Sequence, residues 1–245
     1  MSSSKIYSMA NKGTLYLIPN TLGGESIDDI IPEIVRNEAT SLRFFMVENI
    51  KSARRLLRKM DRQFPIDDSM FIEMNKRSTE QETMKVLHWL IEGKNVGVIS
   101  DAGCACVADP GADIVSMAHA NKIAVVPFVG PSSILLSLMG SGFSGQKFTF
   151  HGYLPKDRKE RIQTLKSYEF VARKKGYTQI FMDTPYRNMN VLEDLLNELS
   201  AHTQLCIASN ITLHNQRLRT MSVEDWRANA YDLSKSPCVF LIGRS

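Results

Sequence analysis

The sequence predicts an α/β protein of two domains, each a mostly parallel or mixed sheet flanked by helices. Three observations carry this. Short apolar runs alternate with amphipathic stretches along nearly all of the 245-residue chain. One run, Val96 to Ile99, ends in a loop of small residues and two carboxylates, Ser100-Asp101-Ala102-Gly103-Cys104-Ala105-Cys106-Val107-Ala108-Asp109-Pro110-Gly111. A buried parallel strand delivers a ligand loop in this way at its carboxyl end. The third observation is Gly130-Pro131-Ser132-Ser133, which breaks the alternation and separates residues 13–129 from 132–245.

The elements follow in order. Thr14 to Ile18 is β-rich, and Asp28 to Glu38 has helical spacing with Pro32 tolerated in its first turn. Leu42 to Val47 is a second apolar run, and Lys51 to Gln63 is a basic amphipathic helix ending before Pro65. Thr79 and Glu82 form a capping box for a helix running to Glu92, closed by Gly93. After the strand at 96–99 come a helix from Ala112 to Asn121 and a strand from Ile123 to Val129. The second domain reads as a helix at 134–139, a strand at 147–151, a charged helix at 158–175 and a strand at 178–182. A helix at 187–199 shows Val191, Leu192, Leu195, Leu196 and Leu199 on one face. Strands at 205–208 and 238–242 flank a short helix opened by Ser222 and Asp225.

Composition narrows the classes. The net charge of +4 permits an anionic partner without demanding one. The four cysteines form no C-x-x-C pair and have no histidine cluster beside them, which argues against structural zinc and against a disulfide framework. Such usage suits a reducing cytoplasm. No apolar signal core opens the chain and no apolar run reaches spanning length, so a soluble cytoplasmic protein is expected.

The familiar phosphate loops, G-x-x-x-x-G-K-[ST] and G-x-G-x-x-G, are absent. Pro19-Asn20-Thr21-Leu22-Gly23-Gly24 reads as a turn rather than a ligand cradle. Asp101 and Asp109 offer acceptors to hydroxyl or amino groups, and the start of the helix after Ser132 suits an anion. Residues 51–62 hold Lys51, Arg54, Arg55, Arg58, Lys59 and Arg62 against one acid, Asp61. That stripe is either a solvated helix face or a phosphate-contacting surface. Thr184-Pro185-Tyr186-Arg187 opens a helix and offers Arg187 to an anion.

Ser100-Asp101-Ala102-Gly103, Asp109-Pro110-Gly111, Val125-Val126-Pro127, Gly130-Pro131-Ser132-Ser133, Gly152-Tyr153-Leu154-Pro155-Lys156 with Arg161, and Thr184-Pro185-Tyr186-Arg187 occur in that order. The order resembles the tetrapyrrole methylase superfamily of S-adenosylmethionine-dependent methyltransferases, within it the branch that methylates a ribose 2′-hydroxyl of small-subunit ribosomal RNA. The resemblance implies a homodimer and a cofactor site between two α/β domains. It places cofactor contacts at Pro19, Asp101, Ala102, Gly103, Val107, Ser132, Ser133, Phe181, Met182 and Asn210. It makes Glu48 a candidate general base, with Lys51, Arg54, Arg55, Lys156 and Arg187 toward RNA phosphates. The chain departs from that branch at Cys104-Ala105, Glu48-Asn49-Ile50-Lys51 and Ser209-Asn210-Ile211-Thr212-Leu213. Three readings follow from the residues and the resemblance: an RNA methyltransferase, a methylase of tetrapyrrole-like small molecules, or a non-catalytic binding module on the same scaffold.

Overall fold

The computed structural model describes residues 12–24, 26–74 and 80–244. The chain divides after Pro131 into two compact units. The first contains β1 (Thr14–Ile18), α1 (Glu33–Ser41), β2 (Phe44–Val47), α2 (Ile50–Met60), β3 (Met70–Glu73), α3 (Glu80–Ile91), β4 (Val96–Ile99), α4 (Ala112–Ala120) and β5 (Ala124–Pro127). Its strands lie in the order β3-β2-β4-β1-β5, and all four pairings are parallel.

Side-chain alternation along these strands builds two apolar layers. Phe45, Val47 and Ile99 join Val35, Ala39, Leu56 and Leu57 from α1 and α2. Met46, Val96 and Val98 join Val86, Leu90, Ile114 and Ala118 from α3 and α4. Central β4 is buried throughout, so its residues read as an unbroken apolar run. Gly97 is required there, because a Cβ would stand 2.5 Å from Ile18 Cδ1 and 3.0 Å from Phe45 Cδ1.

The second unit contains α5 (Ser133–Ser141), β6 (Phe148–Tyr153), α6 (Arg158–Lys175), β7 (Thr178–Asp183), a 3-10 turn (Pro185–Arg187), α7 (Asn188–Glu198), β8 (Gln204–Ser209), β9 (Arg217–Ser222), α8 (Val223–Asn229) and β10 (Cys238–Gly243). The order is β6-β7-β10-β8-β9; β6 runs parallel to β7, and the other pairings are antiparallel. Its core joins Phe181, Phe240, Val191, Leu195 and Trp226. The Trp226 indole N–H donates to Leu205 O at 2.8 Å, which satisfies the polar edge of a fully buried ring. Arg161 and Arg158 both pair with buried Asp194, tying α6 to α7.

The structure adds two strands that the sequence reading leaves in loops, β3 and β9. Both are edge strands, where one neighbour suffices and the burial signal is weak. Helix α1 begins at Glu33 rather than Asp28, with Pro32 in extended conformation at its N-cap. A proline disfavours helical backbone at the residue before it. Thr79 of the expected capping box lies outside the described residues. Among the described residues no helix is long and apolar enough to cross a membrane.

Candidate active site

Every strand of an all-parallel sheet ends at the same edge, so the loops after β1, β2, β4 and β5 gather there. Strands β4 and β5 flank β1 rather than pairing with each other, yet their loops share that edge because both run parallel to it. Pro19, buried after β1, packs on Gly130 after β5 so closely that a Cβ on Gly130 would stand 2.1 Å from Pro19 Cβ. The Cys104 thiol, in the loop after β4, donates to Pro131 O at 3.4 Å.

Asn20 and Glu48 fix the loop after β4. The Asn20 carboxamide donates to Ser100 O at 3.2 Å and Asp101 O at 2.9 Å, and its oxygen accepts the Thr21 N–H at 2.8 Å. The Glu48 N–H donates to Ile99 O at 3.1 Å, extending the β2–β4 ladder by one residue. Glu48 Oε2 then accepts the Asp101 N–H at 3.0 Å. Asp101 and Ala102 are exposed on this loop, whereas Gly103 is buried with φ of +70°, a conformation that suits glycine. Cys106 and Ala108 also adopt positive φ, 66° and 65°, so the loop turns tightly over Ser100.

Three carboxylates meet here. Burial pushes Asp109 up to about 6, with the Glu48 charge adding to the rise, a Ser100 hydrogen bond opposing it, and Asp101 adding a smaller push. Burial, assisted by Asp109, raises the Cys106 thiol to about 11, and burial raises Cys104 as well. Both cysteines are therefore protonated thiols at neutral pH, which favours a packing role over a redox one. Val107, 47% exposed, stands beyond them. Among the described residues no cluster of three or more His, Cys, Asp or Glu could hold a metal ion.

The other expected site residues lie as follows. Lys51 and Arg55 are exposed on α2, while the Arg54 guanidinium stacks 5.2 Å from the Phe71 ring centroid. In the second unit, Ser132 caps α5 by accepting the Leu135 N–H at 3.4 Å, and Ser133 is that helix's first residue. Met182 is half-buried, but Phe181 is wholly buried, stacked on Phe240 and against Tyr168. Phe181 is thus a core residue, and of this pair only Met182 presents surface to a ligand. Asn210 has φ of 52° and is held by Pro237 O and Ser236 Oγ. Lys156 is exposed. Arg187 is engaged internally, with Pro155 O at 2.6 Å and Asp183 Oδ2 at 3.1 Å, so its role here is to hold the turn before α7.

No family model matches the chain. It is similar to the ribosomal RNA small subunit methyltransferase I of Thermotoga maritima, 29% identical over 208 residues, which cover 84% of this chain and 87% of that protein. The namesake of Halalkalibacterium halodurans is 29% identical over 199 residues, or 80% of this chain and 64% of the relative. That of Vibrio cholerae is 26% identical over 231 residues, 93% of this chain and 76% of the relative. Among solved structures, the methyltransferase CobJ matches with a TM-score of 0.63 at 17% identity, covering 95% of both chains. A uroporphyrin-III C-methyltransferase from Thermus thermophilus, complexed with S-adenosylhomocysteine, matches with a TM-score of 0.59 at 14% identity, covering 95% of this chain.

The chain is a homologue of these ribosomal RNA methyltransferases, on the tetrapyrrole methylase fold. In this tetrapyrrole methylase fold two participants at the sheet edge escaped the sequence reading. One is Asn20, read there as part of a turn; the other is Ser100, which bridges Asp109 and the Cys106 N–H. The available signal was position alone: a polar residue just past a buried strand of a parallel sheet faces the ligand edge.

Proposed function

We propose that this protein is an S-adenosylmethionine-dependent methyltransferase whose acceptor is a ribose 2′-hydroxyl of small-subunit ribosomal RNA. The observation that carries the reading is the similarity to ribosomal RNA small subunit methyltransferases I along 80–94% of this chain. It is supported by the expected loop, Asp101-Ala102-Gly103, standing at the carboxyl edge of a parallel sheet.

The residues at that edge fit the cofactor. Without a side chain, Gly103 lets its loop close on Leu22 and Pro131; a Cβ would lie 3.2 Å from Leu22 Cδ2 and 3.4 Å from Pro131 O. Exposed Asp101 suits the ribose hydroxyls or ammonium group of such a cofactor. The carboxylates Glu48, Asp101 and Asp109 together favour a cationic ligand. Bound S-adenosylmethionine supplies a methyl group on a positively charged sulfur, which transfers in line to a nucleophile. In this reading Pro19, Ala102 and Val107 are the further cofactor residues of the first unit, and Ser132, Ser133, Met182 and Asn210 those of the second.

Glu48 takes the proton of the attacking hydroxyl. Its carboxylate is aimed by the Asp101 N–H, so the base and the cofactor loop are set by one hydrogen bond. Lys51 and Arg55, one helical turn apart on the exposed face of α2, and Lys156 contact phosphates. A cytoplasmic homodimer belongs to the same reading. Four free cysteines suit the cytoplasm, and exposed Leu135 and Met139 on α5 suit burial against a second copy.

The test is transfer of radiolabelled methyl groups from S-adenosylmethionine to unmodified small ribosomal subunits and to their naked RNA. The reading predicts label in a ribose, recovered as an alkali-resistant dinucleotide. Label in bases alone, or in a tetrapyrrole precursor and no RNA, would overturn it.

A further inference from the structure

The parallel pairing of β1 with β4 ends at Ile18 and Ile99. Beyond it the two chains change relation: Asn20 and Gly103 form an antiparallel bridge, with the Asn20 N–H donating to Gly103 O at 2.9 Å and the Gly103 N–H to Thr21 O at 3.4 Å. Between ladder and bridge lie the carbonyls of Ser100 and Asp101, which have left the ladder. Both accept from one atom, Asn20 Nδ2. The Asn20 oxygen meanwhile accepts the Thr21 N–H, which fixes the carboxamide's orientation. The side chain is buried, and the residue is only 7% exposed.

We propose that Asn20 is a positioning residue for methyl transfer, whose carboxamide sets the shape of the Ser100–Gly103 loop that receives the cofactor. This rests on the methyltransferase reading above. The task needs a short side chain with two N–H donors and one acceptor. Aspartate matches asparagine in shape but, when ionised, turns an acceptor toward two carbonyls. Serine keeps one donor. Because Asp101 N–H holds Glu48, loosening the Asn20 contacts also loosens the orientation of the base.

The test compares Asn20→Asp and Asn20→Ser with the wild-type protein at about pH 8 and about pH 5.5, each variant referred to wild type at the same pH. The reference matters because Asp109 titrates in this window. Among the described residues, the charged groups beside this loop are Glu48, Asp101 and Asp109 from the loops after β2 and β4, with Lys59, which donates to Gly24 O from α2. The acids favour protonation of an introduced carboxyl, and protonation restores one donor.

Calorimetry with S-adenosylhomocysteine should show Asn20→Asp binding about tenfold weaker than wild type at the higher pH, with the gap narrowing at the lower. Asn20→Ser should show an intermediate loss that does not change with pH. Hydrogen exchange of the 100–106 amides should follow the same pattern, faster in Asn20→Asp at high pH and recovering at low pH. Equal gaps at both pH values, or unchanged exchange in both variants, would overturn the proposal. If the wild-type protein binds no S-adenosylhomocysteine, the cofactor reading fails while the exchange data still decide the role of Asn20. Should Asn20→Asp fail to fold, Asn20→Ser carries the test through its exchange and its binding.

Discussion

Replacing Asp109 by asparagine removes a charge that the fold holds against opposition. Asp109 is partly buried after β4, near Glu48 and Asp101, with Ser100 as its hydrogen-bond partner. Its carboxyl is raised from 3.8 to about 6, first by burial and then by the Glu48 charge. In the unfolded chain the group titrates near its ordinary value of about 3.9. The native state therefore holds this proton more tightly than the unfolded state does. Its contribution is most favourable below about pH 4 and is lost as the pH rises through about 6. A shift of about two units corresponds to roughly 3 kcal/mol, and the group's access to water reduces this to about 1–2 kcal/mol. Asp109→Asn keeps the shape and an acceptor for Ser100 but does not ionise. Urea denaturation from about pH 4 to 8, followed by Trp89 fluorescence in a Trp226→Phe background, should show the variant gaining on wild type by about 1–2 kcal/mol across that range. A gap that is flat with pH, or that widens as the pH falls, would refute the electrostatic account of this loop.

Other perturbations reach different parts of the molecule. Gly130→Ala forces apart the loops after β1 and β5, since the new Cβ would stand 2.1 Å from Pro19 Cβ; a loss of about 1–3 kcal/mol, with weaker cofactor binding, should appear in thermal unfolding and calorimetry. Asp194→Ala leaves Arg161, 5% exposed, without its ion-pair partner and should cost about 3–5 kcal/mol in urea denaturation. Lys166→Ala, which breaks a more exposed pair with Glu198, should cost no more than about 1 kcal/mol in the same assay. Lys51→Ala and Arg55→Ala should each lower the salt-dependence slope of ribosomal RNA binding by about 1 while leaving S-adenosylhomocysteine affinity unchanged.

The parallel sheet was legible because β1, β2, β4 and β5 are apolar runs set between helices with clear amphipathic spacing. Two of the edge strands, β3 and β9, were not. Met70–Glu73 has four residues and weak burial, and Arg217–Ser222 carries arginines on one side of its alternation. At the site, Asp101 could be picked out as a carboxylate just past a buried strand and Glu48 only through the family resemblance; the Asp101 backbone N–H donates to the Glu48 carboxylate. Asn20 could not, because its role depends on carbonyls eighty positions away. Phe181 illustrates another limit. Strand position was readable, but which face the ring takes depends on the pairing of β7 with β10, which stacks it on Phe240. Arg187 was readable as a cation at a helix start, but not as one already satisfied by Pro155 O and Asp183.

The central claim, a methyl-donor site built on the loop after β4, is tested most directly by calorimetric titration of S-adenosylhomocysteine into the wild-type protein and into Asp101→Ala. Asp101 is exposed, so the substitution should leave the fold intact. The account predicts saturable one-to-one binding to wild type, weakened about tenfold or more in the variant. Equal binding by both proteins would contradict the placement of the site, and no binding by wild type would contradict the claim itself.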